Sequence, residues 1–112
     1  MLLPNITELL VSFNRLTALP AVLHPNLREI RANDNQLQQL PENIGELSKL
    51  QVLCLNDNQL ALPLPQGLLK CTALHTLWLS DNYTLPDELA VDLTEDINAV
   101  QLLLRELTST SL

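Results

Sequence analysis

The chain has 112 residues and a formal net charge of −7, from 13 acidic and 6 basic groups, so it holds one domain with one modest core. Thirty residues are Leu while Phe, Trp and Tyr occur once each, which suits a structure that repeats one layer rather than one that interlocks varied shapes. The acidic balance excludes a phosphate-backbone partner, no apolar run reaches the roughly 18–20 residues of a membrane span, and two cysteines are too few for a disulfide framework.

The opening MLLPNITELL lacks a basic n-region and carries Pro4 and Glu8 early, so it makes a poor signal peptide. Four units then align on the pattern LxxLxLxxNxL: Ile6–Leu16, Leu27–Leu37, Leu50–Leu60 and Leu74–Thr84. Their first positions at 6, 27, 50 and 74 give spacings of 21, 23 and 24 residues, a periodicity that decides the fold. Leu9/Val11, Ile30/Ala32, Leu53/Leu55 and Leu77/Leu79 alternate at strand period and point inward, so successive strands stack in parallel. Asn14, Asn35, Asn58 and Asn82 stand in register after each strand. An amide that donates and accepts can satisfy the backbone groups freed where the chain turns, and a stacked ladder of them does so in every layer.

Between units, LPAVL (19–23), LPENIGEL (40–47) and LPQGLLKC (64–71) predict an extended stretch followed by a short helix or turn, with Pro near its first position. Leu40, Ile44 and Leu47 close the far side of the core, matched by Leu64, Leu68 and Cys71. Cys71 is thus a small core hydrophobe and Cys54 lies on the opposite, outward face of a strand, so a disulfide between them would have to span the core. From Asp87 the pattern lapses. Leu93, Ile97, Val100, Leu104 and Leu107 recur at helical steps, predicting an amphipathic helix capped by Asp92 or Thr94, with Asp96, Gln101 and Arg105 outside. At the other end Leu3 matches the slot three residues before Ile6, and the sequence places an uncapped strand edge at Met1–Pro4.

The outward positions form columns. Glu8, Glu29, Val52 and Thr76 come first, then Leu10, Arg31, Cys54 and Trp78, then Ser12, Asn33, Asn56 and Ser80. Phe13, Asp34, Asp57 and Asp81 follow. Trp78 and Arg31 are the candidate anchors, because Trp and Arg dominate interface hot spots, with Val52, Cys54 and Trp78 as an apolar patch. The Asp column supplies one carboxylate per unit where Ca²⁺ wants six to eight oxygens, so no metal is expected; Asp before the ladder Asn is ordinary turn chemistry. Of the two N-x-T sequons, at Asn5 and Asn82, the second uses a ladder residue that glycosylation would displace. His24 and His75 stand on different parts of the coil, no nucleophile–base set converges, and Gly45 and Gly67 form no phosphate loop. No enzyme and no cofactor is expected.

The stretch LPENIGELSKLQVLCLNDNQL resembles the roughly 23-residue, Leu-Pro-containing leucine-rich repeats of cytoplasmic signalling scaffolds, including LAP-type polarity scaffolds and the arrays of Roco GTPases. The resemblance covers 3–86; more weakly, LPDELAVDLTEDINAVQLLLREL resembles the segment that closes such arrays. At Asn82-Tyr83-Thr84 the sequence departs from the pattern, with a return loop two residues short and Thr84 in place of Leu. The fold expected is α/β, a leucine-rich-repeat solenoid forming a short horseshoe arc, with about four parallel strands on the concave face and a C-terminal capping helix. It spans 1–112 as one domain, with repeats near 6–26, 27–49, 50–73 and 74–86, a capping segment 87–108 and a tail 109–112. The resemblance implies a cytoplasmic module that binds a protein partner through its concave face. A regulatory piece of a larger signalling protein, or a homodimer through the N-terminal edge, are the alternatives.

Overall fold

The computed structural model describes residues 6–109. The Met1–Pro4 edge and the Asn5 sequon lie outside them.

The architecture is α/β. Five short strands, β1 (Glu8–Leu10), β2 (Glu29–Arg31), β3 (Val52–Cys54), β4 (Thr76–Trp78) and β5 (Asp92–Leu93), form one open sheet in sequence order. The first four are parallel, and their registers follow the sequence alignment residue for residue: Leu9 with Ile30, Leu53 and Leu77, and Leu10 with Arg31, Cys54 and Trp78. Because side chains alternate along a strand, this register puts Ile30, Leu53 and Leu77 on one face, all fully buried, with Ala32, Leu55 and Leu79 beyond them. In the first unit Leu9, Val11 and Leu16 are only partly buried.

The four expected parallel strands are joined by a fifth, which corrects the expectation of a helix already under way at Leu93. Val91, Asp92 and Leu93 alternate apolar and polar, and β5 runs antiparallel to β4, with Leu93 opposite Leu77 and Asp92 opposite Trp78. The Leu79 N–H donates to the Val91 carbonyl at 2.9 Å. This occupies the backbone groups that β4 would otherwise leave open at the sheet edge.

On the other side of the core the return segments form 3₁₀ helices at Glu42–Glu46 and Gln66–Lys70, capped by Pro41 and Pro65. Ile44, Leu47, Leu68 and Cys71 are fully buried beneath them. The two helices meet backbone to backbone: a Cβ at Gly45 would lie 2.7 Å from the Gly67 Cα, so no larger residue fits without a shift. The shorter segment 19–23 makes only bends, yet Leu19 and Leu23 still enter the core.

Helix α1 (Ile97–Ser109) packs on the second 3₁₀ helix and on β4. Asp96 is its N-cap, accepting from the Ala99 N–H at 3.0 Å. That corrects the assignment of the cap to Asp92 or Thr94, because β5 consumes the residues before it, while Asp96 is exposed as expected. The sealing stripe is Val100, Leu103, Leu104 and Leu107, each contributing on the order of 1.5–3 kcal/mol if fully buried. Ile97 is left 45% exposed, since it sits in the first turn where the helix is still leaving β5. Gln101, expected outside, is half-buried and its Nε2 donates to the Cys71 carbonyl. The Leu64 N–H donates to the Leu107 carbonyl at 2.8 Å, tying the helix end to a return segment.

Candidate functional site

Beside the outward sheet face an asparagine ladder links adjacent layers. Asn58 Nδ2 donates to the Ala32 and Leu55 carbonyls, each at 3.0 Å, and its Oδ1 accepts from the Leu37 N–H at 2.9 Å. Asn35 repeats the pattern one layer earlier, through Val11 O, Ala32 O and Leu16 N, and Asn82 one layer later, through Leu55 O, Leu79 O and Leu60 N. All three are buried. Each amide therefore spans two layers, bonding backbone groups that would otherwise be orphaned in the interior. Asn14 is different: it is exposed and, among the described residues, bonds Val11 O and Ser12 O in its own turn. At the short final turn Thr84 donates its hydroxyl to the Leu60 carbonyl, a polar link where the other units have Leu.

The residue before each ladder Asn has a left-handed backbone, with φ of 59° at Phe13, 58° at Asp34, 57° at Asp57 and 57° at Asp81. Short polar side chains tolerate this region, and the neighbouring amides support two of them: Asn33 Nδ2 donates to Asp34 at 2.7 Å and Asn56 Nδ2 to Asp57 at 3.0 Å. Asp34 and Asp57 thus do turn work. Phe13 is the exception, a bulky side chain in the same conformation and 77% exposed.

The middle column holds the most varied chemistry. Leu10 is 60% exposed. Arg31 Nη2 pairs with Glu29 Oε1 at 3.1 Å, and its Nη1 lies 3.9 Å from Cys54 Sγ. The hydrogen bond to Glu29 raises the guanidinium pKa further. Trp78 is half-buried and its Nε1 donates to Thr94 Oγ1 at 3.0 Å, which fixes the indole. Cys54 lies between Arg31 and Trp78 in the register but is only 1% exposed. Its expected place in an accessible patch is corrected: the larger neighbours on both strands cover it. Thr76 is likewise buried, because the segment after β5 folds over it; Thr76 Oγ1 accepts from the Glu95 N–H at 3.1 Å and meets His75 Nδ1 at 2.8 Å.

The remaining sequence candidates keep outward positions with local partners. Glu8 is exposed, and Val52 is half-buried. Ser12 Oγ donates to Asn33 Oδ1 at 2.7 Å. Ser80 donates its N–H and its hydroxyl to the two oxygens of Asp92, at 3.0 and 2.8 Å. Asn56 Oδ1 is buried without a hydrogen-bond partner. Sequence reading missed the rim formed by Asp92, Thr94 and Glu95. The alternation of Val91, Asp92 and Leu93 was the available signal, masked by the helical spacing that starts at Leu93.

Reactive chemistry finds little here. Burial pushes the Cys54 thiol up, against a partial pull downward from Arg31, and burial pushes the Cys71 thiol to about 11. Both are free and protonated at neutral pH, so neither is an activated nucleophile. His24 Nδ1 accepts from the Asn26 N–H in a turn, far along the chain from His75. Among the described residues no group of three His, Cys, Asp or Glu converges to hold a metal, and no helix is long and apolar enough to cross a membrane.

No family model matches the chain. A leucine-rich repeat and calponin homology domain-containing protein of Drosophila melanogaster is 48% identical over 63 residues, which is 54% of this chain and 8% of that protein. The chain thus corresponds to a small part of the relative's length.

Proposed function

We propose that the chain is a leucine-rich-repeat solenoid acting as a protein-binding module, with its partner on the concave sheet face, and that it carries no catalytic activity. The observation that carries this reading is the column Leu10, Arg31 and Trp78. It stands on the sheet face opposite the filled core, with an exposed aliphatic, a paired guanidinium and a fixed indole in adjacent strands. Residues of these types supply most interface energy, and repeat arrays offer such faces to partners. The Drosophila relative is a leucine-rich repeat protein, in agreement with the periodicity of Asn35, Asn58 and Asn82. Two buried, unpaired thiols and a sequon locked into the ladder at Asn82 fit a cytoplasmic setting. Affinity capture from cell extract tests the reading: proteins retained by the wild type should be lost from Trp78→Ala and from Arg31→Glu. Equal retention by all three would refute it.

A second reading is favoured at the other end. In the first coil Leu9, Val11 and Leu16 are incompletely buried, and Val22 is 81% exposed, an apolar surface among the described residues on which another coil or a second copy of the chain would stack. Sedimentation across micromolar concentrations separates the two, a monomer throughout excluding the dimer. The relative is a much longer protein, of which the matched segment is 8%.

A further inference from the structure

We infer that the apolar face of the first coil seats one more coil of the same kind, its strand parallel to β1 and its backbone bonded by Asn14; this rests on the second reading above and names the occupant. The ladder has a direction. Asn35 reaches back to Val11 O and Leu16 N, Asn58 to Ala32 O and Leu37 N, and Asn82 to Leu55 O and Leu60 N, at 2.9 to 3.2 Å. The two groups reached always lie five residues apart in the coil before. Each amide also bonds the carbonyl three residues back in its own turn: Ala32, Leu55 and Leu79. Asn14 makes that local bond, to Val11 O at 2.9 Å, so its amide already stands in the ladder conformation. For the reach backward, the described residues offer it no partner. At the other end the ladder closes, with Asn82 buried and β5 paired to β4.

The strand starts repeat the asymmetry. Arg28 and Glu29 donate their N–H groups to Thr7 O, Gln51 and Val52 to Arg28 O, and His75 and Thr76 to Gln51 O. The matching donors of the first coil are Thr7 and Glu8, for which the described residues supply no acceptor. Ile6 and Leu9, on either side of these donors, line an apolar cavity of about 360 Å³ together with Val22, Leu23, Pro25 and Leu27. Water serves the exposed N–H groups but leaves the apolar lining uncovered, whereas a coil with aliphatic inner side chains meets both. A second copy does not fit as well. Related by a two-fold axis, it meets β1 either antiparallel with both cores on one side, or parallel with the cores on opposite sides. Asn35, Asn58 and Asn82 each bond a coil that is parallel and has its core on the same side, so neither arrangement gives Asn14 the carbonyl and N–H it lacks.

The test inserts a second copy of residues 27–49, one whole coil, between Asn5 and Ile6 of the full chain, and in a separate variant a second copy of residues 50–73. Urea unfolding followed by circular dichroism compares each with the original, with and without Asn14→Leu. The expected result is a raised midpoint in at least one extended chain. In that chain Asn14→Leu should lower the midpoint by roughly 1 M, against a small fraction of that in the original. A raised midpoint that Asn14→Leu leaves untouched would overturn the inference while the second reading stands, since apolar stacking alone would account for it. If neither insertion stabilises and the original chain sediments as a dimer, the face belongs to a second copy and the inference alone falls. If neither stabilises and the chain is a monomer throughout, both fall. A large drop in midpoint on deleting residues 1–5 would assign the face to that segment and overturn the inference as well.

Discussion

Replacing Asn58 by Leu isolates what the ladder contributes. Leu fills a similar volume but removes an acceptor and two short donor contacts. The loss is unequal among the partners. Ala32 O keeps its bond from Asn35, and Leu55 O keeps its bond from Asn82, so both carbonyls remain satisfied. The Leu37 N–H loses Asn58 Oδ1, and Leu37 is fully buried. One orphaned interior donor costs on the order of 1–3 kcal/mol, a large fraction of the 5–15 kcal/mol typical of a whole domain. Asn14→Leu is the control, since Asn14 is exposed and, among the described residues, bonds within its own turn, where water replaces the lost contacts. Urea unfolding followed by circular dichroism reads both. With a slope of about 1–3 kcal/mol per molar, Asn58→Leu should lower the midpoint by roughly 1 M, and Asn14→Leu by a small fraction of that. Equal shifts for the two variants would refute the claim that the ladder works by bridging layers.

Gly45→Ala should destabilise, because its Cβ would sit 2.7 Å from Gly67 Cα and 2.8 Å from Gly67 O; a cost of about 1–3 kcal/mol lowers the thermal midpoint by several degrees, and an unchanged midpoint would deny the tight crossing. Phe13→Asn should stabilise by about 0.5–1 kcal/mol in the same melts, since Asn accepts the left-handed backbone that Phe resists. Cys71 gives a pH dependence. Its folded pKa is raised to about 11 from 9.0, so the folded state holds the proton longer, the stabilising contribution is intact below pH 9, and it is lost as pH rises toward 11. Urea midpoints measured between pH 8 and 11 should fall, and Cys71→Ala should flatten that fall.

Much of the fold could be read from the sequence because one short pattern is repeated. Leu9, Ile30, Leu53 and Leu77 fall into register by counting alone, and the buried partners of Asn35, Asn58 and Asn82 follow from where an amide must turn. What the sequence hid lies where the repetition stops. Leu93 fits a helical step and a strand alternation equally well, and only the open edge of β4 decides in favour of β5. Once Asp92 is drawn to Ser80, the helix must find its cap at Asp96. Cys54 and Thr76 were outward by parity, and parity held; their burial comes from Arg31, Trp78 and Glu95, neighbours remote in sequence. The Gly45–Gly67 contact was equally hidden, since a glycine in a return segment gives no sign of whether another backbone approaches it.

The central claim is that the face carrying Leu10, Arg31 and Trp78 is the one a partner covers. The most direct measurement is a two-dimensional amide NMR titration of the labelled protein with a peptide selected on it. The account predicts shifts concentrated in β1 to β4 and at the Trp78 indole N–H, with the 3₁₀ helices Glu42–Glu46 and Gln66–Lys70 unmoved. Shifts confined to those two helices or to α1, with the strands silent, would contradict it.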